Sequence, residues 1–76
     1  MKLYRICALT EVELHGWSST HQIPTFYLDA ELHGLRTEGE AEVLARTMIK
    51  ELIAAVAGAA ETKVWLSAVE VGDARD

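Results

Sequence analysis

Residues 3–14 read LYRICALTEVEL, with apolar side chains on even positions: Tyr4, Ile6, Ala8, Val12 and Leu14, Thr10 being the exception. Odd positions Arg5, Glu11, Glu13 and, just beyond, His15 are polar. A period of two puts successive side chains on opposite faces, so this segment reads as a long strand with one buried face. At ~3.3 Å per residue it spans ~40 Å.

Downstream, HGWSSTHQIP (15–24) gathers Gly, Ser, Thr and Pro and reads as a loop. TFYLDAELH (25–33) alternates again. Phe26, Leu28, Ala30 and Leu32 take one face, and Thr25, Tyr27, Asp29, Glu31 and His33 the other, with Gly34 as the stop. The two strands are expected to pair as an antiparallel hairpin across a longish loop. Thr37-Glu38-Gly39-Glu40 has the spacing of a capping box, in which the Thr hydroxyl accepts from the N–H three residues on and the Glu carboxylate reaches back. Ala41, Leu44, Ala45, Met48, Leu52, Val56 and Ala60 then recur at three- and four-residue steps. This stripe predicts a helix from residue 38 to about 57 or 60, with Gly58 a natural stop. KVWLSAVEV (63–71) reads as a third strand and GDARD as a polar tail. The expected fold class is α+β: a single two-layer ββαβ domain over 1–72, with one long helix on a mainly antiparallel three-stranded sheet. Residues 73–76 are expected to form a flexible tail.

One helix covers only one face of such a sheet. The open face is expected to carry Leu3, Cys7, Leu9 and Tyr27, together with Trp65, Val69 and Val71, while Val64, Leu66 and Ala68 face the helix. The helix end LIAAVAGAA (52–60) is apolar all round, and Ile53 sits off the main stripe. Leu3, Cys7, Leu9, Tyr27, Ile53, Trp65 and Val69 are therefore the expected oligomer interface, since contiguous exposed apolar surface marks interaction sites and edge strands invite pairing. Trp17, a large aromatic on the loop, joins Glu11, Glu13, Asp29 and Glu31 of the open face as the expected partner surface.

The same residues also bear on chemistry. With both apolar faces aligned, hairpin partners have an even sum of residue numbers. A sum of 40 places Glu11 opposite Asp29 and Cys7 opposite His33; a sum of 42 places Glu11 opposite Glu31. Facing carboxylates could hold a divalent cation, but acid–base work needs a carboxyl group raised by burial, and an open face buries little. A Cys–His pair needs an orienting group and an oxyanion site, and neither is evident. The chain contains no G-x-S-x-G, no G-x-G-x-x-G and no phosphate loop, and its three histidines and single cysteine lack zinc spacing. No catalytic residue, metal or cofactor is expected.

Composition narrows the partners. The 76 residues are 50% hydrophobic and 25% charged, a globular balance, with a net charge of −5. Residues 1–37 hold three Lys/Arg against four Asp/Glu, and residues 38–76 four against eight. An acidic chain without a basic run argues against binding the phosphate backbone of nucleic acid or an anionic membrane. The nine-residue apolar run 52–60 is well short of the ~20 residues that span a bilayer, and no signal peptide is visible, so a cytoplasmic protein is expected. A chain of this size buries only about 60% of its unfolded surface. With one cysteine it has no internal disulfide to supplement the core, which leaves oligomerisation.

MKLYRICALTEVEL, IPTFYLDAELHGL, EAEVLARTMIKEL and VWLSAVEV together resemble small proteins encoded by actinobacteriophages. The resemblance covers most of the chain and is carried by structural motifs. It implies a phage accessory protein of the host-cell cytoplasm, without catalytic residues, that could act on a host protein. HGLRTEGEAEVLARTMIKEL is more distantly similar to the strand-end, T-x-G and helix segment of HicB-type antitoxins, which implies an antitoxin-like or DNA-associated regulator. The chain departs from that pattern in having no counterpart of the extra strand or of a C-terminal DNA-binding segment. The leading expectation is a non-enzymatic protein that works by protein–protein contact as a dimer or larger homo-oligomer.

Overall fold

A computed structural model describes residues 2–58 and 61–72. Strand β1 (Leu3–Leu14) is followed by β2 (Trp17–Asp29), a single helical turn α1 (Ala30–His33), helix α2 (Glu38–Ala57) and β3 (Glu61–Glu70). The sheet order is β2-β1-β3, antiparallel throughout, so the alternating segment 3–14 is the central strand. The class is α+β, one long helix on one face of a three-stranded antiparallel sheet. The expected tail 73–76 lies outside the described residues, as does Ala60 of the apolar stripe.

The hairpin differs from expectation. Segment 15–24 is not a loop, because β2 begins at Trp17 and pairs with Leu14. His15 (φ 53°) and Gly16 (φ 81°) alone make the turn. Two successive positive φ values define the tight turn whose twist matches a hairpin, and histidine is among the side chains that tolerate the left-handed region. The ladder runs from Leu14↔Trp17 to Ala8↔Ile23, then resumes at Ile6↔Phe26 and ends at Leu3↔Asp29. Between these blocks β1 spends one residue, Cys7, and β2 two, Pro24 and Thr25. This is a β-bulge, and proline suits it because an interrupted ladder on an edge strand does not need its missing N–H. No pair of the hairpin has a sum of 40 or 42.

The second strand also stops early. The Asp29 carboxylate accepts from the N–H groups of Glu31 (2.9 Å) and Leu32 (3.2 Å), capping a helical turn that Gly34 closes in the left-handed region (φ 65°). Ala30–His33 is therefore helical, and Leu32 points to solvent instead of the core.

Helix α2 begins and ends as expected. Thr37 Oγ1 accepts from Glu40 N–H (3.1 Å), and Glu40 Oε1 accepts from the N–H groups of Thr37 (3.2 Å) and Arg36 (2.6 Å). Gly58 (φ 59°) donates its N–H to Ala54 O at the other end. Glu38 Oε2 accepts from Glu70 N–H (3.1 Å), which ties the helix start to the end of β3.

The core lies under the first half of the helix. Tyr4, Ile6, Leu28 and Ala68 from the sheet meet Ala41 and Ala45 from α2, with Phe26, Leu35, Leu44 and Leu66 packed around them. The two helix alanines are fully buried, so the backbone of α2 comes close to the sheet. The odd residue of the apolar series, Thr10, is buried too, its hydroxyl donating to His21 O (3.3 Å). Val64, Leu66 and Ala68 face the helix, and Trp65 and Val69 face away, as expected.

Candidate functional site

The bulge decides what the far end of the hairpin presents. Residues paired across a ladder share a face, so Phe26 and Leu28 lie on the helix side with Ile6 and Tyr4. Past the extra residue the parity of β2 inverts. Trp17, Ser19, His21 and Ile23 then pair with Leu14, Val12, Thr10 and Ala8, and also face the helix side.

Helix α2 lies over β3 and the adjoining side of β1, leaving β2 uncovered there. A groove of about 690 Å³ opens between the second half of α2 (Leu52, Ile53, Val56) and the hairpin (Val12, Leu14, Trp17, His21, Ile23). It continues into a second hollow of about 580 Å³ walled by Ile23, Phe26, Met48, Ile49, Leu52 and Ile53. The apolar stripe of α2 thus divides. Ala41 and Ala45 are buried, together with Ile49, which the expected stripe left out, whereas Met48 is 41%, Leu52 63% and Val56 80% exposed. Trp17 at the groove mouth is 81% exposed.

The opposite face carries the second apolar surface. Leu9 pairs with Trp65, and Arg5 lies between Tyr27 and Val69. Leu9, Tyr27, Trp65 and Val69 are exposed, and Cys7 sits among them, its Sγ 3.8 Å from Thr25 Oγ1. Toward the hairpin turn this face becomes polar: Glu11 lies between Thr20 and Lys63, and Glu13 between Ser18 and Glu61.

The expected interface residues therefore separate into two surfaces. Cys7, Leu9, Tyr27, Trp65 and Val69 share the open face, Ile53 lines the groove on the other side, and Leu3 is buried. The expected partner surface also divides. Glu11 and Glu13 stay together near the turn, Trp17 is on the opposite face, Asp29 caps α1 at the far end, and Glu31 is off the sheet. Glu11 faces neither Asp29 nor Glu31, and Cys7 opposes Ser67 and not His33, which belongs to α1. Both pairings fail because they assumed a loop over residues 15–24 and a strand through residue 33, whereas the chain turns at His15–Gly16 and β2 ends at Asp29.

Among the described residues no three His, Cys, Asp or Glu side chains are grouped to hold a metal ion. No helix among them is long and apolar enough to cross a membrane. The groove itself was invisible to periodicity. Its one sequence signal is the exposed continuation of the helical stripe at Leu52 and Val56 opposite an aromatic at 17. Comparison with family models, with curated proteins and with solved structures returned no match.

Proposed function

We propose that the chain is a small non-enzymatic binding protein of the host-cell cytoplasm that works by protein–protein contact. It self-associates as a dimer or larger homo-oligomer and acts on a host protein, in the manner implied by its resemblance to actinobacteriophage proteins. One observation carries this reading. Among the described residues, five of the ten buried hydrophobic ones are alanines (Ala8, Ala30, Ala41, Ala45 and Ala68), while both tryptophans are outside, Trp17 at 81% and Trp65 at 52% exposure. A monomer keeps its largest apolar side chains inside, where each contributes most. Here they are spent on two surfaces, the groove and the open sheet face. Two such surfaces allow one for self-association and one for a partner. Light scattering over a concentration series tests the first half: a multiple of the chain mass is expected, and a monodisperse monomer at high concentration removes self-association.

A further inference from the structure

Resting on that self-association, we propose that the subunit contact is β2 paired antiparallel with β2 of a second copy about a two-fold axis at Thr20, with Trp17 of each copy seated in the groove of the other. The occupant is a second copy because the edge is self-complementary. From Gly16 to Leu28 the chain has no Asp, Glu, Lys or Arg, whereas the other edge, β3, carries Glu61, Lys63 and Glu70. Charges, proline and bulges are the usual protections of a free edge; β2 has its proline and bulge at 24–25, and residues 17–23 carry no charge. In a chain of net charge −5, two copies paired along this edge set no like charges opposite one another on the strands, while Glu51 stands on the wall of each hollow.

The register follows from the geometry. Leu14 and Trp17 close a two-residue hairpin, so they exchange both backbone hydrogen bonds with each other. Alternation then turns the N–H and C=O groups of Ser18, Thr20 and Gln22 to the free edge. Pro24 has no N–H to offer and ends the run. The pairing of 17–23 with itself that uses all three outward residues is centred on Thr20, with Ser18 opposite Gln22 of the second copy. A two-fold axis normal to the sheet keeps both helices on one face. On that face Trp17 comes beside the second copy's Ile23, at the hollow that Ile23 shares with Phe26, Met48 and Leu52. Each tryptophan buries ~150–250 Å². With the walls covered and the edges paired, the contact is on the order of 1,000 Å², the size a specific interface needs. The open face with Trp65 stays free for a different partner.

The test is sedimentation of the full-length wild type, Thr20→Pro and Trp65→Ser, with amide exchange read residue by residue. A wild-type dimer is expected, with the Ser18, Thr20 and Gln22 amides protected at high concentration and exchanging freely on dilution. Thr20→Pro removes an outward N–H that the single chain does not use, so a folded monomer by circular dichroism is expected, with dissociation raised at least tenfold. Trp65→Ser stays dimeric. If Thr20→Pro fails to fold, Thr20→Lys, which sets two like charges at the axis, is expected to give the monomer. A dimer that survives both Thr20 variants, or whose three amides exchange freely at every concentration, overturns the β2 contact while self-association stands. A wild type that is monomeric throughout overturns both.

Discussion

At the scale of single residues, the hairpin depends on two backbone conformations that most side chains avoid. Gly16 has φ 81°, and a Cβ added there would meet nothing within 4 Å. Its need for glycine is therefore conformational and not steric crowding. Gly16→Ala is expected to cost ~1–2 kcal/mol, read as a lower urea midpoint with an unchanged slope. Lys2 illustrates a different residue-scale effect. Its ammonium lies 3.0 Å from Glu70 Oε1 and 5.5 Å from the Tyr4 ring centroid, and these contacts, the Glu70 hydrogen bond first, raise its pKa above the ordinary lysine value. A group raised on folding contributes stability that is complete below its unfolded pKa and is lost as pH climbs through the folded one. Its loss is therefore confined to alkaline solution, and solvent screens the contribution of this exposed group. Glu70→Gln should return the Lys2 titration toward the ordinary value, as followed by side-chain NMR.

At the scale of elements, α2 is held in place from its first turn. Glu40 serves two backbone N–H groups and Thr37 a third, so Thr37→Ala should cost ~0.5–2 kcal/mol. A double-mutant cycle with Glu40→Ala should show coupling between them, because the two side chains cap one end reciprocally. This helix was legible in the sequence at both ends, since capping chemistry and Gly58 are local signals. So were β1, from an alternation broken only at Thr10, and β3, from its β-branched and aromatic residues. The second strand was not. WSSTHQIPTFYLD has the small polar residues of a loop, and its extra residue at Pro24–Thr25 breaks the period just where alternation would have identified a strand. AELH alternates as a strand would, yet the Asp29 cap and Gly34 make it a turn of helix, a conflict that the pattern alone could not resolve. The fold class survived these errors because it needed only three strands and a helix in order. The site did not, because faces depend on register.

At the scale of the whole molecule, the extents of 43 × 21 × 18 Å describe a long hairpin projecting past a core gathered under one half of a helix. Stability and stickiness are thus segregated along the long axis. Ile49 (5% exposed) and Leu52 (63%) stand three residues apart on α2, one on each side of that division. Ile49→Ala is expected to destabilise the monomer by ~2–5 kcal/mol, enough to unfold most molecules of a chain this small. Leu52→Ala should stay within ~0.5 kcal/mol of wild type when unfolding is measured at high dilution. At high concentration the two should differ less, since a melting temperature that depends on association falls with any loss at the contact.

The bulge has a consequence for descent as well as for shape. Removing one residue at Pro24–Thr25 would let β2 pair without interruption, yet Trp17 would stay opposite Leu14 and Ile23 opposite Ala8, because the turn at His15–Gly16 fixes their partners. Each would keep the face of the residue it pairs with. The hairpin can therefore lose a residue at this point, or have gained one there, without reassigning which side of the molecule either tryptophan occupies.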